Sequence, residues 1–284
     1  MHADSTKPVI TRFAPSPTGF LHLGHAFSAL FAFRAAQEAN GRFLLRIEDI
    51  DQGRCRPEFE AAIYEDLAWL GLEWEEPVRR QSEYMADYEA ALDRLNRMGM
   101  LYPCFCTRKE IQSEIDAAGG APHGPDGPIY PGTCKAFSNT ERESRAEQGD
   151  AFALRLDMER AMTKVGALSW SDLDQGETTA DAAIFGDVVL ARKDTPTSYH
   201  LSVTIDDHLQ GVTLVTRGKD LFPATHVHRI LQSLLELDTP TYRHHGLLSA
   251  PDGRRLAKRD KAQTLRSLRE AGLSAAEVRK MVGY

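Results

Sequence analysis

The chain has 284 residues, of which 42% are hydrophobic and 26% are charged, and this composition excludes a mainly disordered, collagen-like or coiled-coil protein. A formal net charge of −7 disfavours binding of a polyanion by the surface as a whole, so a contact with nucleic acid requires a locally basic patch. No stretch approaches the roughly 20 apolar residues that span a bilayer. We therefore expect a cytoplasmic enzyme without a membrane contact, and a monomer because no coiled-coil pattern is present.

The first 70 residues alternate between strand-like and helix-like segments. A β-branched, apolar stretch at 9–13 predicts a strand, and a second strand is predicted at 42–47. An Ala- and Phe-rich stretch at 25–39 predicts a helix that ends at Asn40-Gly41. Pro57 begins an amphipathic helix that continues to about residue 70. This βαβα order is typical of a parallel sheet covered by helices.

The rest of the chain interrupts this pattern and then returns to it. From Cys104 onward, a short polar helix and a Gly- and Pro-rich stretch at 119–132 predict an insertion that lies outside the sheet. In chain order, the other predicted elements are a helix at 82–98, strands at 151–156 and 188–192, a helix at 199–206, a strand at 212–217, a helix at 225–237, and a basic segment after a turn at 252–253.

A loop rich in proline and glycine connects the first predicted strand to the first predicted helix, from Arg12 to His25. The N-terminus of a helix carries unpaired N–H groups and the positive end of the helix dipole, so it favours a phosphate group. His22 and His25 flank this terminus, and their imidazoles can donate hydrogen bonds to phosphate oxygens. Taken alone, the pair could also be two surface histidines at a helix start.

The segment from Arg12 to His25 resembles the HIGH signature of the class I aminoacyl-tRNA synthetases, in the form used by the glutamyl and glutaminyl branch. Residues 45–51 are similar to a second signature of that branch, and residues 205–221 resemble a third. Residues 255–259 occupy the place of the KMSKS loop. The four motifs follow the order of the family from residue 12 to residue 259, which indicates membership of this branch.

The resemblance implies an α/β fold with the Rossmann-like parallel sheet of a class I synthetase, an inserted zinc-containing acceptor-type subdomain and no anticodon-binding domain. Only 26 residues follow Lys258, which is too few for a further domain. The implied domains are 1–100 and 191–245 for the two halves of the catalytic domain, 101–190 for the insertion, and 246–284 for the KMSKS-like loop with a C-terminal helical segment.

The activity implied by the resemblance is attack by the carboxylate of glutamate on the α-phosphorus of ATP, with Mg²⁺ bound to the phosphates. His22, His25 and Lys258 would then bind ATP and stabilise the transition state. The loop at 255–259 departs from the KMSKS pattern at the other positions, so only Lys258 is carried over from it.

A glutamate pocket requires a guanidinium for the side-chain carboxylate and an acidic group for the α-ammonium. Arg12 and Arg217 are the candidate cations and Glu48 is the candidate anion, although Glu48 could instead cap the segment that follows it. The resemblance implies a pocket lined by Arg12, Phe13, Ala14, Pro15, Ser16, Glu48, Tyr199 and Arg217. Asp206 and Asp207 could form a metal pair, but a structural role is the preferred interpretation.

Three of the four cysteines, Cys104, Cys106 and Cys134, lie in the predicted insertion and provide three soft ligands for a tetrahedral Zn²⁺. From spacing alone, His123 is the obvious fourth ligand. A Cys-x-Cys pair followed by Tyr-x-x-x-Cys is, however, similar to the zinc site of short glutamyl-synthetase paralogues. That resemblance implies Tyr130 as the fourth ligand of one structural Zn²⁺, with His123 as the alternative. A zinc-free insertion with three reduced thiols is the other interpretation.

The motifs, the cysteine pattern and the few residues after the KMSKS-like loop together resemble those short paralogues, which transfer glutamate to the queuosine base in the anticodon of tRNA(Asp). The implied partners are glutamate, ATP and the tRNA(Asp) anticodon stem-loop bearing queuosine. Residues 252–269 contain seven Lys or Arg against two Asp, so the part from Arg254 to Arg269 is the candidate surface for tRNA phosphates. An ordinary ligase for tRNA(Glu) and a non-catalytic amino-acid- or nucleic-acid-binding paralogue are the alternative functions.

Overall fold

The computed structural model describes residues 7–117, 121–248 and 263–284. Its strands are β1 (Ile10–Phe13), β2 (Arg42–Ile47), β3 (Glu75–Arg80), β4 (Leu101–Cys104), β5 (His123–Gly124), β6 (Gly127–Pro128), β7 (Ala153–Leu156), β8 (Ser169–Asp172), β9 (Gly176–Thr179), β10 (Val189–Ala191), β11 (Leu214–Gly218) and β12 (Thr241–His245). Its helices are α1 (Leu23–Glu38), α2 (Pro57–Trp69), α3 (Met85–Arg97), α4 (Arg108–Ala117), α5 (Asn139–Glu147), α6 (Met158–Val165), α7 (Tyr199–Leu209), α8 (Ala224–Leu234), α9 (Leu265–Glu270) and α10 (Ala275–Met281). Within these three ranges, no helix is long and apolar enough to cross a membrane.

The first three strands form a parallel sheet in the order β1-β2-β3, with Ile10 opposite Arg42. α1 connects β1 to β2, and Asn40 follows it with a positive φ of 48°. At Gly41, a Cβ atom would lie 2.0 Å from the carbonyl oxygen of Val9, so glycine is needed where the chain leaves the helix and enters β2. The predicted βαβα order of the first 70 residues is confirmed.

A second group of strands continues the α/β arrangement. β11 and β12 pair in parallel, and β12 also pairs in parallel with β8, whose antiparallel neighbour is β9. β1 lies beside β11, where the N–H of Thr213 donates to the carbonyl of Ile10 over 3.0 Å. The predicted α/β fold with a parallel sheet is therefore confirmed. β8 and β9 fall in the range 101–190 expected for the insertion, yet they pair with the strands of the catalytic half.

β10, β7 and β4 form a separate antiparallel sheet in the order β10-β7-β4. β4 and β7 lie between the two groups of strands in sequence, whereas β10 follows β9. Each strand of this sheet contributes to one hydrophobic cluster with α3, α6, α7 and α8, in which Leu95, Leu156, Leu190 and Leu201 are almost completely buried. Tyr102 and Cys104 of β4 belong instead to the cluster around the cysteines. Burial of this much apolar surface stabilises the contact between the antiparallel sheet and α7. The packing fixes the start of α7, where Tyr199 lies.

The C-terminal helices α9 and α10 pack on the first half of the chain. Leu265, Leu268 and Val278 belong to the same buried cluster as the apolar faces of α1 and α2. The N–H of Leu265 donates to the carbonyl of Leu21 over 2.8 Å, and Thr264 pairs with His22 as an isolated β-bridge. The start of α9 is therefore held next to the start of α1.

Candidate active site and candidate metal centre

Two adjoining cavities of about 570 and 950 Å³ form a cleft at the carboxyl ends of the parallel strands. The smaller cavity contains Arg12 and Arg217, and the larger contains Pro15 and Ser16. The residues that line both are Phe13, Ala14, His22, His25, Glu48, Tyr199, Asp220 and Leu221. The cleft therefore brings together all eight residues predicted for the glutamate pocket and both predicted ATP-binding histidines.

The KMSKS-like loop, with the predicted catalytic residue Lys258, lies outside the described residues. The described residues on either side of it are next to the cleft. Leu248 lines the smaller cavity and Thr264 lines the larger one. Described residues on both sides of this loop therefore line the cleft.

His22 and His25 cap the N-terminus of α1 and do so reciprocally. The Nδ1 atom of His22 accepts from the N–H of Gly24 over 3.1 Å, and Nδ1 of His25 accepts from the N–H of His22 over 3.2 Å. The ring centroids are 3.9 Å apart. Because both Nδ1 atoms accept, each neutral ring carries its proton on Nε2, where it is a hydrogen-bond donor. This arrangement suits an anionic group at the helix N-terminus.

The guanidinium of Arg12 is buried and forms an ion pair with Asp207. Its Nε and Nη2 donate to the two carboxylate oxygens over 2.9 and 3.3 Å, and its Nη1 donates to the carbonyl of Thr216 over 3.1 Å. Burial acts to raise the pKa of Asp207, but Arg12 and Arg46 outweigh it and lower the pKa. Asp207 is therefore ionised, and it balances much of the charge of Arg12.

The guanidinium of Arg217 is equally buried but has neutral partners. It donates from Nε to His244 over 3.1 Å, from Nη2 to Thr225 over 2.6 Å and from Nη1 to the hydroxyl of Tyr199 over 3.4 Å. Nη1 also lies 3.2 Å from Nδ1 of His228. Across 7–117, 121–248 and 263–284, no carboxylate forms an ion pair with it. A buried cation without a counter-ion is costly, so this position suits a negatively charged ligand.

Both histidines beside Arg217 are neutral. Burial and the Arg217 cation hold the pKa of His228 well below its usual range. Burial and Arg217 also lower the pKa of His244 to about 4, against the opposing effect of Asp172. His228, His244 and Asp172 are not predicted from the sequence, because no motif contains them. The only signal was two adjacent histidines in a stretch that becomes the buried strand β12.

Glu48 lies in both cavities, at the end of β2. Its carboxylate accepts from Nη2 of Arg46 over 3.3 Å. Burial raises the pKa of Glu48, and the nearby Arg46 and Arg12 reduce this effect without cancelling it. A carboxylate in this setting favours a bound cation such as an ammonium group, because the cation would stabilise the ionised form.

Asp206 and Asp207 are held by arginines, in line with the preferred structural interpretation. Asp206 accepts from Nε of Arg79 over 2.8 Å and from the hydroxyl of Tyr88, and Asp207 accepts from Nη2 of Arg46 over 2.8 Å. Both carboxylates are buried. These ion pairs hold both carboxylates next to Arg46, which also pairs with Glu48.

The three cysteines predicted to bind metal lie together at the end of β4 and the turn that follows residue 132. The sulfur atoms of Cys104, Cys106 and Cys134 lie within 4.8 Å of one another. The hydroxyl of Tyr130 is 3.4 Å from the sulfur of Cys104 and 3.7 Å from that of Cys106. His123 is exposed on β5 and is not one of the residues that converge here in the described part of the chain.

The donor set of three sulfurs and one phenol oxygen fits a small tetrahedral cation. Burial acts to raise the pKa of Cys134, but hydrogen bonds from Tyr130 and from the N–H of Phe105 outweigh it and lower the pKa. Burial raises the pKa of Cys106 to about 11. A thiolate is the form that binds Zn²⁺, so Cys134 is the thiol of the cluster that is best prepared to ligate.

Of the basic segment predicted to contact tRNA, the structure describes the residues from 263 onward. Arg266 is exposed and its Nε donates to Glu270 over 2.9 Å. Arg269 donates to Glu65 over 2.9 Å. Surface ion pairs of this type are weak and exchange readily with other anions.

Comparison with known proteins agrees with this geometry. The sequence model of the family described as tRNA synthetases class I (E and Q), catalytic domain, matches residues 8–282. A protein of Rhodobacter capsulatus named glutamyl-Q tRNA(Asp) synthetase is 50% identical, over 97% of this chain and 100% of its own length. A glutamate–tRNA ligase of Aquifex aeolicus is 38% identical, over 93% of this chain and 54% of its own length. The crystal structure of a glutamate tRNA ligase from Elizabethkingia meningosepticum in complex with its amino acid gives a TM-score of 0.82 at 28% identity, over 97% of this chain and 60% of that one.

Proposed function

This chain belongs to the glutamyl-Q tRNA(Asp) synthetases, within the class I tRNA synthetases for glutamate and glutamine, and on that premise we propose that it activates glutamate with ATP and transfers the glutamyl group to the queuosine base of tRNA(Asp). The first step forms glutamyl adenylate and releases pyrophosphate, and the second step releases AMP. The observation that carries this proposal is the buried guanidinium of Arg217, whose partners among the described residues are neutral.

We infer that the side-chain carboxylate of glutamate binds Arg217 in the smaller cavity, where the ligand supplies the missing negative charge. Arg12 contributes hydrogen bonds more than net charge because it already pairs with Asp207. Glu48 accepts from the α-ammonium of the substrate, and the loop from Phe13 to Ser16 surrounds the backbone of the amino acid.

In the activation step, an oxygen of the α-carboxylate attacks the α-phosphorus of ATP, and the bond from that phosphorus to the pyrophosphate oxygen breaks. The Nε2–H groups of His22 and His25 are donors at the N-terminus of α1, where they can stabilise charge that develops on phosphate oxygens. Lys258 is assigned to the leaving pyrophosphate on the basis of its motif. Mg²⁺, when bound with ATP, would neutralise phosphate charge.

In the transfer step, a nucleophilic group of the queuosine base attacks the glutamyl carbonyl and AMP leaves. This choice of acceptor is supported by the relative named glutamyl-Q tRNA(Asp) synthetase, of which this chain covers the full length. An unstacked anticodon base is the kind of RNA element that a protein cleft can recognise. The basic segment from Arg254 to Arg269 is the proposed contact with the tRNA phosphates.

An ordinary glutamate–tRNA ligase is the second candidate function. It is supported by the 38% identity to a protein of that name. The activation step would be the same in both cases, since the residues around Arg217 and Glu48 act before the tRNA does. The two functions differ only in the acceptor, which is either the queuosine base of tRNA(Asp) or the 3′ end of tRNA(Glu).

We also propose one structural Zn²⁺, held by Cys104, Cys106, Tyr130 and Cys134. When bound, it would crosslink the end of β4 to the turn at 132–135 and so stabilise the edge of the antiparallel sheet. The proposal is supported by the phenol oxygen of Tyr130, which lies against the thiols.

The experiment that tests the activation step is glutamate-dependent exchange between ATP and labelled pyrophosphate in the absence of tRNA. We expect exchange with glutamate and at least about 100-fold less with glutamine at the same concentration, since the amide cannot balance the charge of Arg217. Aspartate serves as the control for a carboxylate on a shorter side chain. Equal exchange with glutamate and glutamine, or no exchange with either, would refute the proposal.

A further inference from the structure

Asp172 and His244 form a buried hydrogen-bond chain that ends at Arg217. The Oδ2 atom of Asp172 lies 2.6 Å from Nδ1 of His244, and Nε2 of His244 lies 3.1 Å from Nε of Arg217. The side chains of Asp172 and His244 have no exposed surface. Arg217 lines the smaller cavity, whereas Asp172 and His244 do not. The hydrogen bonds from Asp172 through His244 to Arg217 thus connect the core of the sheet β8-β12-β11 to the cleft.

The hydrogen-bond partners of Asp172 leave one arrangement of protons on His244. Oδ1 of Asp172 accepts from the N–H groups of Asp174 and Gln175, each over 2.9 Å. A carboxylate can only accept, so Nδ1 of His244 must carry the proton that faces Oδ2. An Arg nitrogen can only donate, so Nε2 of His244 must present its lone pair to Arg217. Both ends of the chain require the same neutral tautomer, with the proton on Nδ1.

His228 meets Arg217 from another side in the same manner. Its Nδ1 lies 3.2 Å from Nη1 of Arg217, so Nδ1 must accept and Nε2 must carry the proton. Nε2 lies 3.2 Å from Nδ1 of His200, whose own Nε2 lies 3.3 Å from Asp126. Two histidines of fixed tautomer therefore flank one guanidinium, and neither adds a negative charge to it.

We propose that Asp172 is a positioning residue for substrate specificity, which fixes the tautomer of His244 so that Arg217 is held by a neutral acceptor and keeps its charge for the side-chain carboxylate of the substrate. The inference rests on the proposed function, in which that substrate is glutamate. A carboxylate in place of His244 would orient Arg217 equally well but would neutralise it, and an anionic amino acid would then gain little over a neutral one. Histidine provides orientation without this loss.

The substitution Asp172→Asn tests the inference without a change of shape. Oδ1 of the new side chain must still accept from the N–H groups of residues 174 and 175, so its amide nitrogen faces His244 as a donor. Nδ1 of His244 must then accept, and the ring proton moves to Nε2, where it opposes the N–H of Arg217. We expect the KM for glutamate in pyrophosphate exchange to rise by about 10- to 100-fold, as for the loss of other buried orienting groups. The KM for ATP should stay within about twofold of the parent value, since the hydrogen bonds of Asp172 and His244 do not extend to the N-terminus of α1.

Two controls separate this effect from loss of structure. Asp174→Asn makes the same chemical change two residues away, at a side chain that pairs with Arg243 on the surface, and should leave the KM for glutamate unchanged. In His244→Gln, the side-chain carbonyl can accept from Arg217 while the amide nitrogen donates to Asp172. This variant should therefore lose less affinity for glutamate than His244→Leu, which has no acceptor.

The ¹⁵N chemical shifts of His244 report the tautomer directly, whatever the activity. We expect the unprotonated shift at Nε2 in the parent protein and at Nδ1 in Asp172→Asn. An unchanged tautomer or an unchanged KM for glutamate in Asp172→Asn would each overturn the inference. If Asp172→Asn does not fold, His244→Gln against His244→Leu decides the question, because only Gln retains the acceptor. Absence of glutamate-dependent exchange in the parent protein would refute the proposed function instead, and the ¹⁵N shifts would still test the tautomer.

Discussion

Nε of Arg12 lies 2.9 Å from Oδ1 of Asp207, and both side chains are almost completely buried. This ion pair balances the charge of Arg12, whereas Arg217 has no carboxylate partner among the described residues. The two arginines therefore have different physical roles although both line the smaller cavity. One belongs to a network that stabilises the folded protein, and the other is available to an anionic ligand.

Replacement of Arg217 by glutamine should weaken glutamate binding by about 100-fold, since a charge-assisted contact with the side-chain carboxylate is lost. The free energy of unfolding should change little, because the guanidinium has no counter-ion among the described residues. Titration calorimetry with glutamate and urea unfolding measure the two quantities. Arg243→Gln, on the same strand pair but in a surface ion pair, is the matched control. A large loss of stability with unchanged glutamate affinity would contradict this prediction.

Replacement of Arg12 by glutamine should instead lower the free energy of unfolding by about 3 kcal/mol, because Asp207 loses one of its two buried cations. Urea unfolding measures this loss. Arg42→Gln removes an arginine from an exposed ion pair with Glu75 and should cost less than about 1 kcal/mol. Similar costs for the two variants would show that the Arg12 pair does not stabilise the fold.

The cysteine cluster should contain one zinc per chain in protein purified without chelator. We expect Cys104→Ser to lose most of this zinc and to lower the Tm, because the metal links the end of β4 to the turn at 132–135. Cys55→Ser is the control, since Cys55 lies outside the cluster. Elemental analysis and thermal unfolding give the result, and a zinc-free parent protein would remove the proposal.

The fourth ligand is tested by a second pair of variants. Tyr130→Phe removes the hydroxyl that lies 3.4 Å from the sulfur of Cys104, and it should weaken zinc binding by about tenfold. His123→Ala should have no effect, because His123 is exposed on β5. Competition with a chromogenic chelator measures both affinities. The reverse order of effects would assign His123 as the ligand.

Asp66 makes stability depend on pH. Burial raises its pKa from 3.8 to about 6, although Arg269 at 3.6 Å acts to lower it. A carboxyl whose pKa is raised in the folded state favours folding below pH 3.8, and this contribution is lost as the pH rises through about 6. The shift in Tm caused by Asp66→Asn should therefore be more positive at about pH 8 than at about pH 5. Glu65→Gln, at the exposed neighbouring position, should shift the Tm equally at the two pH values. An equal shift at both pH values in Asp66→Asn would contradict the assignment.

Local signals account for what the sequence predicts correctly. The stretch from Ile10 to Ile47 contains its own strand, helix and turn residues, and glycine at position 41 is required by a close backbone approach. The cysteine site has a signal because a Cys-x-Cys pair at 104 and 106 and a third cysteine in the same insertion are typical of a metal site.

Long-range packing accounts for what the sequence does not predict. β3 contains Pro77 and four charged residues, so its pairing with β2 depends on the sheet and not on its own pattern. The helix predicted at 225–237 ends at Leu234, and Glu236 then adopts a positive φ of 52°. The polar strand Thr241–His245 is buried only because β11 and β8 flank it. The adjacent pair His244-His245 was therefore the only signal in the sequence, and it does not predict burial.

The acceptor is identified by transfer of labelled glutamate, with ATP and Mg²⁺, onto tRNA from queuosine-making and queuosine-deficient cells. The proposed function predicts label on tRNA(Asp) from the first source only, and loss of this label in Arg217→Gln. Equal label on both tRNA pools would contradict queuosine as the acceptor and would identify an ordinary ligase. No label on either pool would contradict the transferase function itself.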